Sequence, residues 1–135
     1  MNKRIHKIAS RVRRQCEIFS CKDECGGKDY FNNHDLSCMC AVASYTLAKA
    51  LKKNGIVCKM VKGMFEDDHH CWVEIKNEIV DITATQFGIR NRVYFTNKSN
   101  ECYKRKVIIR SPRQLRSWKN QAPDNSLANK ILKIA

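Results

Sequence analysis

The sequence is short of acid, of glycine and of long apolar runs. There are 13 Asp and Glu against 26 Lys and Arg in 135 residues, so the formal charge is +13. With five glycines, two prolines and 43% apolar residues, the composition excludes a collagen-like or low-complexity fibre and an intrinsically disordered chain. No apolar run approaches the ~18 residues of a membrane span. The start, Met1-Asn-Lys-Arg-Ile-His-Lys7, lacks the apolar stretch of a secretory signal. The expectation is one soluble, cytoplasmic domain over 1–135, long enough to bury a core. Disulfide-rich scaffolds are small secreted domains, so the eight cysteines are expected to be free thiols. The Cys-x2-Cys pair of common zinc sites is missing. Cys21, Cys25, His34 and Cys38 could in principle supply four ligands, but their spacing fits no common finger. Glu66-Asp-Asp-His-His70 reads better as a solvated acidic loop whose charges favour protonated His70. No metal and no cofactor is assigned.

Charge is distributed unevenly. Residues 1–14 and 102–123 carry no acid at all, whereas acids cluster at Glu17 to Asp35 and Glu66 to Asp81. Two basic ends therefore flank a near-neutral middle. Excess Lys and Arg favour acidic partners in general, whether nucleic acid, anionic membrane or acidic protein, without choosing among them.

Apolar spacing supplies the elements. Ile5, Ile8, Ala9, Val12 and Cys16 recur at helical intervals with basic residues opposite, predicting an N-terminal helix with a solvated basic face. Residues 19–35 read as a loop. A second helix is predicted from about Leu36 to Asn54, capped by Asp35 or Ser37 and stopped at Gly55, with Cys40 on its buried stripe within about the first turn. Beyond Gly55 the period becomes two, giving strands at Ile56–Lys62, Cys71–Ile75, Glu78–Ile82, Arg92–Thr96 and Lys106–Arg110. Ser111-Pro112 opens a short helix, and Leu127, Ile131 and Ile134 mark a last one. Helices followed by a mainly antiparallel sheet make an α+β fold.

The hairpin around Lys76-Asn77 carries the most specific signal. With either Lys76-Asn77 or Asn77-Glu78 as the turn, His70 and Asp81 fall on one face of the sheet. Same-face diagonal neighbours lie about 7–8 Å apart at the backbone, within reach of an imidazole and a carboxylate. A thiol at a helix N-terminus gains thiolate character from the dipole. Cys40 is thus a candidate nucleophile, His70 its base and Asp81 the group that orients the imidazole. Taken singly, each residue has an ordinary structural explanation; in this order and phase they make a site hypothesis.

The same residues carry a resemblance. Cys40-Ala-Val-Ala-Ser44 through Gly55-Ile56, then His70-Cys-Trp72-Val73-Glu74-Ile75, then Val80-Asp81-Ile-Thr83 resembles the transglutaminase-like branch of the papain-like cysteine protease superfamily. Its members run Cys, helix, Gly-Ile, strand, His-Ala-Trp-Val-Glu-Val, Asp-Pro-Thr. The likeness covers about 36–88. By the family's spacing from cysteine to Gly-Ile, Cys40 rather than Cys38 falls at the nucleophile, as helical phase also indicates. The departures are Cys71 for the small residue after His, Ile82 for Pro, and a short hairpin. The resemblance implies a papain-like core over about 36–110, between basic helical ends at 1–18 and 111–135. It also implies a thiol acyl-transfer centre acting on a protein or other amide-containing substrate: peptidase, amidase, deamidase or transglutaminase-type chemistry. Asn33 or His34 is expected to complete an oxyanion hole with the Cys40 N–H, and Trp72 to wall the cleft. The competing reading is a binding module for nucleic acid or an acidic protein on an inactive scaffold, with the basic clusters at 3–14 and 104–119 and Tyr103 and Trp118 as stacking groups.

Overall fold

The computed structural model describes residues 2–20, 39–111, 114 and 125–135. The elements run helix α1 (Lys3–Ser20), helix α2 (Cys40–Lys53), strands β1 (Lys59–Phe65), β2 (Asp68–Ile75) and β3 (Glu78–Asp81), a single 3-10 turn (Ala84–Phe87), strands β4 (Tyr94–Asn97) and β5 (Tyr103–Ile109), and helix α3 (Asn125–Leu132). The fold is α+β, with every pairing in the sheet antiparallel.

Helix α2 is the central element because it is small and apolar nearly all round. Leu47 and Leu51 are fully buried, as are Ala41 and Ala43, each leucine contributing about 1.5–3 kcal/mol relative to exposure. It packs on β2 and β1, while α1 and α3 pack on it. Its stop is as the sequence implies: Gly55 takes φ 75°, Ile56 N–H donates to Leu51 O and Gly55 N–H to Lys52 O, the double closure of a Schellman motif. Its start differs. The helix begins at Cys40 with Met39 as its cap and no side-chain capping bond, so neither Asp35 nor Ser37 is the N-cap. Propensity for capping points upstream; burial of Met39 and Cys40 sets the boundary instead. Leu36, Asp35 and Ser37 lie outside the described residues.

The sheet order is β4-β3-β2-β1-β5. The Lys76-Asn77 hairpin forms as expected, pairing Ile75 with Glu78 and Val73 with Val80, with Lys76 at φ 54°. Strand β1 starts three residues later than the apolar run suggests, since Val57 is 85% exposed. Strand β5 starts earlier, at Tyr103, because the Lys104-Arg105-Lys106 run conceals a strand from a hydrophobic pattern. The β1–β5 register shifts between Lys62 and Gly63. Gly63 is required there: a Cβ would stand 2.7 Å from Trp72 Cη2 and overlap the Lys104 carbonyl oxygen.

Two apolar clusters lie on opposite faces. Cys71, Val73, Val80 and Ile82 join the cluster that includes α2, whereas Val61, Phe65, Trp72, Ile79 and Tyr103 form the second. The basic face of α1 is not wholly solvated. Arg13 is 2% exposed, and its guanidinium donates to Glu17 at 2.8 Å, to the Ile82 carbonyl at 2.7 Å and to Thr85 Oγ1 at 3.0 Å. It ties α1 to the segment that follows Asp81. In α3, Ile131 is fully buried, and Ile134 lies beyond the helix end. Ser111 sits at a bend and Gln114 is in a 3-10 turn, its N–H donating to the Ser111 carbonyl at 3.1 Å; the other residues of the short helix expected there lie outside the described residues.

Candidate active site

Cys40 is the first residue of α2 and is 3% exposed. Its thiol lies in the electrostatic neighbourhood of Cys71 and His70, both of which act on its titration. One turn further along, Ser44 Oγ donates to the Cys71 carbonyl at 3.1 Å, which fixes the tip of α2 against β2.

His70 and Asp81 share a face, as strand parity requires, and meet directly: His70 Nε2 is 2.7 Å from Asp81 Oδ2, with both side chains fully buried. The carboxylate is saturated. Tyr103 O–H donates to Oδ2 at 2.8 Å, while Thr83 donates to Oδ1 from its N–H at 2.9 Å and its hydroxyl at 3.3 Å. With Nε2 committed to Asp81, Nδ1 is the remaining edge of the imidazole. The Gln86 amide nitrogen, held by the Thr83 carbonyl at 3.0 Å, stands 3.5 Å from Nδ1. Aromatic rings surround the imidazole: Phe87 edge-on at 4.8 Å between centroids, Trp72 at 6.0 Å and Phe65 at 6.2 Å.

These surroundings set the protonation states. Burial opposes the imidazolium, but the charge and hydrogen bond of Asp81, aided by Cys40, outweigh it and push His70 up to about 10. Burial likewise opposes the carboxylate; the charge and hydrogen bond of His70, with the Thr83 and Tyr103 bonds, hold Asp81 below its usual range. The Cys71 hydrogen bond and then burial raise Cys40 well above an ordinary thiol, against a downward pull from His70. The lowered thiol expected from the helix dipole is therefore reversed, and the directions of the three shifts favour a neutral thiol beside an imidazolium–carboxylate pair. The acidic turn contributes nothing to this. Glu66, Asp67, Asp68 and His69 are exposed while His70 turns inward, so the five residues do not converge, and no group of three metal-ligating side chains occurs among the described residues.

Several expectations need correction. Trp72 is fully buried, with its indole N–H donating to Glu74 Oε2 at 3.2 Å, so it supports the imidazole from within the sheet and does not wall an open cleft. Tyr103 is 7% exposed and bonded to Asp81, which removes it as a base-stacking group. Cys71, on β2, acts on the titration of Cys40. Cys16 and Cys58 are buried packing thiols and Cys102 is half-buried; burial pushes Cys16 up to about 12. Asn33, His34, Cys21, Cys25, Cys38 and Trp118 lie outside the described residues. Sequence reasoning missed Tyr103 and Gln86. Thr83 had a signal, standing two residues after Asp81, where its N–H can close a turn onto the carboxylate. Tyr103 had none short of the β1–β5 pairing that sets it opposite Phe65.

No helix among the described residues is long and apolar enough to cross a membrane. Compared with known proteins, the chain matches no family model, no curated protein and no solved structure.

Proposed function

We propose that this chain is a small cysteine-dependent hydrolase or acyltransferase with a papain-like, transglutaminase-like core, working through Cys40, His70 and Asp81 and a thioester intermediate. The observation that carries the reading is the convergence of a thiol at a helix start with a buried imidazole already bonded to a buried carboxylate. An α+β arrangement in which the cysteine-bearing helix packs on an antiparallel sheet supports it.

The chemistry follows from the proton inventory. The Cys40–His70 pair at rest holds one proton too many for attack, so the reactive form is the thiolate beside the imidazolium. The sulfur adds to a substrate carbonyl, and the developing oxyanion is met by the Cys40 N–H, which the first turn of a helix leaves without an intrahelical acceptor. His70 passes its proton from Nδ1 to the departing amine or alcohol, and the carbon–heteroatom bond breaks to leave an acyl-thioester on Cys40. Neutral His70 then takes a proton from water or an incoming amine, which adds to the thioester carbonyl; collapse releases the acyl group and restores the thiolate–imidazolium pair, which regains its resting proton from solvent. Asp81, held by Thr83 and Tyr103, keeps Nε2 occupied so that Nδ1 faces the sulfur.

Alkylation by iodoacetamide and acylation by p-nitrophenyl acetate, read by mass spectrometry at each cysteine, test this. Cys40 is expected to form an acetyl thioester that turns over, and His70→Ala to slow its acylation by at least about a hundredfold. Acylation of Cys40 that is unchanged in His70→Ala, or no faster than at half-buried Cys102, overturns the reading.

A further inference from the structure

A cavity of about 400 Å3 between the C-terminal half of α2 and the end of β5 takes no part in this chemistry. Its floor is apolar: Ala48, Met60 and Ile109 are buried there, beside the ring of Tyr45. Its rim is cationic, with Lys49, Lys52 and Lys53 from α2 facing Arg110 just past β5. Asn125, the first residue of α3, closes one side, its Oδ1 accepting from Tyr45 O–H at 2.8 Å and from Lys49 Nζ at 3.1 Å.

Three features of this cavity point to a ligand. The volume lies within the roughly 300–1,000 Å3 of small-molecule sites, and an apolar floor with a few convergent polar groups is their usual lining. Among the described residues no Asp or Glu lines it, and none of its four cations is in an ion pair. Helix chemistry accounts for only part of that charge. Lys52 and Lys53 in the last turn suit the negative end of the α2 dipole, but Lys49 stands one turn back from both, where like charges oppose each other, and Arg110 arrives from a different element. The cluster is complementary to a negative group that no described residue supplies. Lys49 to Lys53 stand nine to thirteen residues beyond Cys40, about 14–20 Å along the helix, so a ligand here would not touch the thiol.

We propose that this cavity binds a small amphipathic anion, with an aromatic or short acyl body on Ala48, Met60 and Ile109 and a carboxylate, sulfonate or phosphate among Lys49, Lys52, Lys53 and Arg110. The concave apolar floor selects for the body, and the four cations select for the charge.

The test is a fluorescence titration of the full chain with 8-anilinonaphthalene-1-sulfonate, followed by competition with octanoate, octyl phosphate and octanol. Saturable one-site binding is expected, displaced by octanoate or octyl phosphate and not by octanol, and weakened by added salt. Displacement by only one of the two anions identifies the headgroup. Lys52→Glu with Lys53→Glu, and separately Arg110→Glu, all at exposed positions, are expected to weaken binding at least about tenfold with an unchanged circular dichroism spectrum. The proposal fails if octanol competes as well as octanoate, if the charge-reversed proteins bind the probe as tightly as the parent, or if only an acidic peptide or anionic vesicles bind and no small anion does.

Discussion

At the scale of single residues, the thiol that the proposed chemistry needs is held in its inactive protonation state, and the residue mainly responsible is Cys71. Its hydrogen bond is the largest influence raising Cys40. Cys71→Ala removes that bond with little change in volume, leaving the downward pull of His70 opposed by burial alone. The variant is expected to alkylate faster at Cys40 near neutral pH, with its rate profile displaced toward acid; an unchanged profile would separate the two thiols functionally. Tyr103 acts on the other end of the site. Tyr103→Phe keeps the ring against Trp72, where the centroids are 5.0 Å apart, and deletes one bond to a buried carboxylate. The expected cost is about 1.5–3 kcal/mol of stability, the range for hydrogen bonds to charged groups. Asp81 should also become easier to protonate, because a bond that favours its charged form is gone. Denaturant midpoints, with the acid limb of stability recorded for the same protein, would measure both.

At the scale of elements, the site depends on one close approach. Gly63 lets β5 and the Trp72 ring meet across β1, and Trp72 in turn packs against Tyr103 and lies beneath His70. Gly63→Ala places a methyl group against the Lys104 backbone and the indole, and backbone cannot yield as a side chain can. A loss of about 1–3 kcal/mol, the usual cost of overpacking, is expected in a thermal or denaturant melt, together with slower Cys40 chemistry as the imidazole loses its support. A melt indistinguishable from the parent would show that the strand moves freely at this position. The elements also show where sequence reading succeeds. Parity along a hairpin is fixed by the alternation of a strand, so the shared face of His70 and Asp81 is legible in the spacing of the two residues alone. So is the Gly55 stop, because only glycine takes φ 75° without strain. The start of α2 and the whole of Tyr103–Arg105 are not. The first is settled by packing of Met39 and Cys40, and the second is a strand whose polar run carries no period of two. Arg13 is hidden for a related reason: a pattern assigns basic residues to solvent, whereas its partners at Ile82 and Thr85 lie far away in sequence.

For the whole molecule, the buried His70–Asp81 pair links folding to pH. The folded pKa of His70 is about 10 against an ordinary 6.5, so the stability it contributes is complete below pH 6.5 and is lost as pH rises through about 10. Asp81 is displaced the other way from its ordinary 3.8, so its contribution is present above pH 3.8 and is lost as pH falls through its lower folded value. Both statements describe one interaction seen from its two partners. The thermal midpoint is therefore expected to fall in strong acid, as many carboxylates protonate, and to decline again from about pH 6.5 toward 10, with the raised buried thiols Cys16, Cys40 and Cys58 adding to the decline from about pH 9 upward. Asp81→Asn isolates the imidazole's share of the second limb: without the carboxylate, burial favours the neutral imidazole, and the decline should flatten between pH 6.5 and about 9, below the range of the thiols. The proposed thiol chemistry is expected to run in the opposite sense over the same interval. Deprotonating the raised Cys40 creates the nucleophile, so its alkylation should accelerate with pH in the range where the fold is losing this pair. A parent protein whose midpoint is flat from pH 6.5 to 10, or an Asp81→Asn variant with the same slope as the parent, would mean that the imidazole is neutral in the folded protein. The resting thiol would then have its base ready at neutral pH, and the alkylation rate would no longer need to climb.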